Sequence, residues 1–168
     1  MKIALVHDYL NQYGGAERVL EALHDVYPAA PVYTAIYSPR KMPAHYRRWR
    51  IRTSFMQRLP GVMSRHQWYL PLYPLAVESF DLSGYNVVLS SSSAFAKGVI
   101  TEPDALHVCY CHSPMRFVWN FDEYIQWERG AAARVRPVLP LVLNYVRLWD
   151  EVSARRVDHF IANSRVTA

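Results

Sequence analysis

The chain has 168 residues, enough for a domain with its own core, and is 51% hydrophobic against 20% charged, which excludes a disordered chain. Nineteen Lys and Arg against fourteen Asp and Glu leave a net charge of +5. That excess suits an anionic ligand, a phosphate-bearing lipid surface or nucleic acid without choosing among them. No run approaches the roughly 18 uninterrupted apolar residues of a membrane span, and the short apolar run after Met1 meets a charge at Asp8, so no signal peptide is expected.

Lys2 to His7 is a short run rich in branched residues, as in a strand buried on both faces. A polar loop from Asp8 to Gly15 follows. Val19, Leu20, Leu23 and Val26 then recur at helical spacing, and Pro28 and Pro31 end that helix. Val32 to Ile36 reads as a second strand, giving a strand–helix–strand unit of parallel type. The stretch from Ser38 to Arg58 is less regular and holds a basic run with interleaved aromatics, His45 to Arg52. Arg65 to Phe80 is helical but carries Pro71 and Pro74, so a kink or break is expected. Strands follow at Tyr85–Ser90 and Leu106–Cys111. A long helix over Val138–Val157 has Pro137 and Pro140 near its start, and a last strand covers Asp158–Ala162. Five strands alternating with helices predict an α/β fold with a doubly wound, mostly parallel, Rossmann-like sheet. The chain stops where a further helix is expected to begin, which suggests a piece of a larger protein.

In such sheets ligands bind outside the carboxyl ends of the strands. The candidates there are Asp8, Gly14 and Gly15, the Ser90–Ser93 cluster with Lys97, His112 with Arg116, and Asn163 with Ser164. Gly14 and Gly15 open the first helix, so they read either as a phosphate-approaching turn, with free N–H groups at the helix start, or as a tight turn alone. Glu17 falls in the first turn, where the helix dipole favours a carboxylate. Neither Gly-x-Gly-x-x-Gly nor a P-loop is present, which argues against a dinucleotide oxidoreductase and against an ATPase. His112 directly follows a buried strand and suits either contact with a reacting group or a structural cap before Pro114. His107, Cys109, Cys111 and His112 resemble a zinc set, but side chains two apart on a strand diverge too far for tetrahedral ligation, so no metal is expected. The same two cysteines, sharing one strand face, disfavour a mutual disulfide and point to a reducing compartment. The basic run reads as a membrane-surface or acceptor-phosphate contact, or as a solvated loop; no nucleic-acid module accompanies it. The helix over 138–149 is apolar nearly all round, and is either deeply packed or in contact with a bilayer surface.

Five motifs in order carry a resemblance: Lys2–Tyr9, Gly14–Val19, Ala96-Lys97-Gly98, Tyr110–Arg116 with Trp119, and Asp158–Ser164. Together the 168 residues resemble the N-terminal, acceptor-side domain of family 4 retaining glycosyltransferases, one half of the GT-B fold, and look most like the bacterial branch with mannosyltransferases of surface-polysaccharide assembly. The resemblance implies transfer of a hexose from a nucleotide sugar, such as GDP-mannose, to a lipid-linked or oligosaccharide acceptor, with retention and without a metal or other cofactor. It implies that Gly14 and Gly15 approach the donor diphosphate and that His112 sits at the reaction centre. Asp8, Ser93, Lys97, Arg116 and Trp119 become the expected acceptor contacts. Most nucleotide contacts would come from a C-terminal donor-binding domain outside this chain, which leaves the fragment inactive alone. The expected setting is cytoplasmic, with peripheral contact at the inner face of the membrane. The competing expectation is a stand-alone α/β binding module without catalysis.

Overall fold

A computed structural model describes residues 1–119, 138–165 and 167. Six strands, β1 (Ile3–His7), β2 (Val32–Thr34), β3 (Ile51–Thr53), β4 (Val87–Ser92), β5 (Leu106–Cys111) and β6 (His159–Ala162), form one sheet in the order β3-β2-β1-β4-β5-β6. Every pairing is parallel. The order steps outward from β1 in one direction and then, from β4, in the other, so the chain reverses between β1 and β4. In an open α/β sheet that reversal opens a crevice at the carboxyl ends.

Helices cover both faces, as the continuous apolar character of the central strands requires. On one face α1 (Gly15–Val26) and the 3-10 turn Ala44–Arg48 pack through Leu20 and Tyr46 onto Leu5 and Val32. On the other, α3 (Tyr73–Glu78) and α5 (Leu139–Ala154) pack through Tyr73, Ala76, Val146 and Trp149 onto Ala4, Val6 and Val88. The short helices α2 (Val62–Arg65) and α4 (Arg116–Trp119) complete the described set.

Between Arg65 and Phe80 the expected break falls where the sequence places it: a 3-10 segment, His66–Leu72, with Pro71 inside it, separates α2 from α3, and Pro74 sits in the first turn of α3. Pro140 likewise occupies the first turn of α5, whereas Pro137 lies outside the described residues.

Two expectations are corrected. The less regular stretch from Ser38 to Arg58 holds a sixth strand, β3, an edge strand in which only Ile51 is part-buried while Arg52 and Thr53 face out. The β4 strand starts and ends two residues later than Tyr85–Ser90, which brings the serine cluster into the buried sheet, with Ser90, Ser91 and Ser92 each at most 2% exposed.

The basic run resolves into two faces. Tyr46 is buried and Trp49 stacks on His24, ring centroids 3.9 Å apart, while Arg47 and Arg48 point outward. Its aromatics are core, and its cations form a solvated edge. Among the described residues, α5 is packed on one side only. Leu143, Val146 and Trp149 are buried, whereas Leu141, Tyr145, Leu148 and Val152 form an exposed row. No helix among the described residues is long and apolar enough to cross a membrane.

Candidate functional site

Crevice residues come from β1, β4, β5 and the start of α1. The parallel register sets His7 beside Ser91 and Ser91 beside Tyr110. Because side chains alternate along strands, His7 and Ser91 share the face covered by α1. Glu17, in the first turn of α1, turns inward and is 4% exposed. The result is a hydrogen-bonded chain. Glu17 Oε1 lies 3.4 Å from His7 Nε2, His7 Nδ1 3.2 Å from Ser91 Oγ, and Ser91 Oγ 2.8 Å from His112 Nε2. His112 is half-buried, its ring 5.1 Å from that of Tyr110. The expected site histidine is therefore physically joined to the Gly-Gly turn through three buried side chains.

Charge in the crevice is balanced by these contacts. Burial alone would raise the Glu17 carboxyl. The hydrogen bond from His7, the attraction His7 exerts whenever it is protonated, and the N–H groups of Glu17 and Gly14 outweigh it and hold the group below its ordinary value. Burial, aided by the repulsion of His7 whenever that ring is protonated, lowers the His112 imidazole against the opposing pull of Asp8 and Glu17. His112 is thus a neutral ring at physiological pH.

At the turn, the Arg18 N–H is the first to reach back along α1, to the Gly14 carbonyl at 3.3 Å. The N–H groups of Gly15 and Ala16 lie in the first turn, where an α-helix supplies no partner of its own. A side chain at Gly15 would meet nothing within 4 Å, while one at Gly14 would approach the Glu17 carboxylate at 3.3 Å. The space in front of Gly15 is open.

Asp8 has other work. It is 3% exposed, and its carboxylate accepts from the N–H groups of Ser93 (2.6 Å), Ala94 (3.0 Å), Phe95 (2.7 Å) and Ala96 (2.6 Å). Four donors already surround both oxygens, so Asp8 shapes the loop after β4 instead of reaching an acceptor. Ser93 serves that clamp through its backbone N–H, its residue half-buried.

Lys97 is likewise engaged. Its ammonium bonds Asp150 of α5 and the Ala94 carbonyl, and it is 8% exposed. The other Asp150 oxygen accepts from Trp119 Nε1 at 2.9 Å. A buried cation with a paired carboxylate is not available to an anionic acceptor. Gly98 completes the motif by leaving room for the Trp149 ring. Of the expected acceptor contacts, Arg116 is exposed and Trp119 keeps half its surface open while its indole N–H is held. Sequence reasoning singled out His112 and Gly14-Gly15 but missed the connecting roles of His7, Ser91 and Glu17; the signal for them was the placement of all three at strand and helix ends.

No group of three His, Cys, Asp or Glu among the described residues is arranged to hold a metal ion. Cys109 is buried, which pushes its thiol up to about 12, and both cysteines are free. A shallow hollow lined by Met1, Tyr27, Pro31, Arg50 and Tyr85 lies at the opposite, amino ends of the strands, away from this chemistry.

No family model, no curated protein and no solved structure matches the chain.

Proposed function

We propose that this chain is the acceptor-side half of a retaining nucleotide-sugar glycosyltransferase of the family 4 type, acting on a lipid-linked or oligosaccharide acceptor. The observation that carries the reading is the joining of two expected site features: the Gly14-Gly15 helix start and His112 meet at one crevice through Glu17, His7 and Ser91. The free N–H groups at Gly15 and Ala16, at the positive end of α1, offer a cradle for a departing diphosphate. Donors fixed in advance at the point where negative charge grows are the usual source of the largest rate gains. His112, neutral and half-exposed, would face the transferring sugar. The exposed row on α5 and the outward cations Arg47 and Arg48 suit a lipid-bearing acceptor near a membrane surface.

Because nothing lies within 4 Å of a side chain at Gly15, Gly15→Val leaves the fold intact and obstructs only the ligand. With GDP-mannose or inorganic diphosphate as probe, amide signals of Gly15 and Ala16 shift on titration of the wild-type chain and stay still in Gly15→Val. In the full-length protein, Gly15→Val and His112→Ala each lower hexose transfer by about 100-fold or more, the scale for loss of one preorganised group. Unchanged transfer in both variants rejects the reading.

A further inference from the structure

The side chains behind His112 dictate more than its position. An ionised Glu17 can only accept, so His7 must present a proton at Nε2 to bond it; in a neutral ring His7 Nδ1 is then bare. Bare Nδ1 takes the Ser91 hydroxyl proton. Ser91 Oγ has then only lone pairs to offer across the 2.8 Å contact, so His112 Nε2 carries the proton and its Nδ1 is bare. That Nδ1 bonds no group among the described residues, on a ring that is only half-buried.

We propose that Glu17, His7 and Ser91 form a relay that fixes His112 in one tautomer, with Nδ1 a hydrogen-bond acceptor for a ligand hydroxyl. All three are positioning residues, acting on the ligand only through His112. The relay is also a sink for charge. When a proton reaches His112 Nδ1, the Nε2 proton moves to Ser91 Oγ and the Ser91 proton moves to His7 Nδ1. One proton has entered, none has been lost, and the positive charge rests on His7 against the Glu17 carboxylate, away from the ligand. A lone His112 would keep that charge at the crevice.

Besides Ser91, the titratable groups that face His112 among the described residues are His7 on β1, Asp8 just beyond it, Glu17 on α1 and Tyr110 near the end of β5. Asp8 is already satisfied by four N–H donors and cannot replace Glu17 as the end of the chain. A sugar as the bearer of the hydroxyl rests on the transferase reading; the tautomer does not, and a test on the ligand-free chain separates the two.

The test is long-range ¹H–¹⁵N correlation spectroscopy of the histidine rings near neutral pH. The wild-type chain gives a single tautomer at both His7 and His112, protonated at Nε2. A His112 protonated at Nδ1, or one exchanging evenly between tautomers, overturns the relay with no variant needed. Ser91→Ala removes the link, and His112 becomes a mixture of tautomers. Glu17→Gln supplies an amide N–H to His7 Nε2, which permits the whole chain to reverse, so a His112 signal protonated at Nδ1 appears. If both variants keep the wild-type amide spectrum outside the crevice and His112 stays in its original tautomer, the relay is refuted even if transferase activity is later found.

Discussion

At Asp8 one carboxylate gathers four consecutive backbone N–H groups from the loop after β4. Charge-assisted bonds of this kind are about twice as strong as neutral ones. A sequence cannot display such a partner set, because the donors belong to the backbone and lie far along the chain. The same blindness explains Lys97. Between apolar neighbours it reads as a cation kept for a ligand, yet its partner, Asp150, is 53 residues away. The pair is buried on both sides, so removing one partner strands a charge. Lys97→Met is expected to cost about 3–5 kcal/mol in urea unfolding. Lys97→Met combined with Asp150→Asn is expected to regain most of it, since an Asn oxygen still accepts from Trp119. His112 and the Gly-Gly turn were legible for the opposite reason: their meaning comes from their place at the end of an element, which hydrophobic patterning reveals.

Among the elements, β5 agrees with its sequence reading residue for residue, because its apolar run is long and bounded by polar turns. β3 escaped because an edge strand buries little, and Arg50 and Arg52 flank its one part-buried residue, Ile51. Helix α5 shows how one element can hide two roles. Its inner side is held by Trp149 Nε1 to Glu78 (2.8 Å), and Arg156 just beyond its end bonds Glu78 (2.5 Å) and the Gly98 carbonyl (3.0 Å). The contact between α5 and the 3-10 turn Ala96–Gly98 is close enough to require glycine for space: a Cβ on Gly98 would lie 2.3 Å from two Trp149 ring atoms and 3.1 Å from the Ser153 Cβ. Gly98→Ala is therefore expected to push the indole outward and to destabilise by about 1–3 kcal/mol, seen as a red-shifted tryptophan emission and a lower urea midpoint. Its outer row of Leu141, Tyr145, Leu148 and Val152 has no such partner among the described residues.

For the molecule as a whole, stability and pH meet at His107, which is fully buried in β5 with Nε2 bonded to Ser90 Oγ at 2.9 Å. Burial pulls its imidazole down from 6.5 to about 4 against the weaker raising influence of the Arg156 backbone carbonyl and the Asp158 charge. The folded state therefore refuses a proton that the unfolded chain accepts. Its contribution is constant above about pH 6.5, and stability falls as pH drops from there to about 4, by about 3 kcal/mol in all. Urea midpoints at pH 7.5 and pH 4.5 measure this, and His107→Gln, which keeps a hydrogen-bonding group for Ser90, should flatten the difference. The α/β class with a doubly wound, mostly parallel sheet was readable from alternating strands and helices. The reversal between β1 and β4, which makes the crevice, required knowing which strands pair.

The carboxylate of Asp8 has a consequence in time. Its four partners lie 85 to 88 residues downstream. At about 5–20 residues per second of synthesis, roughly 4 to 18 seconds separate their appearance. Until then a full negative charge ends the most apolar strand of the sheet, where it discourages that strand from pairing with other nascent chains. The same group later closes the loop that frames the crevice. One side chain thus changes partners in time, from water around the newborn strand to four backbone donors in the folded loop.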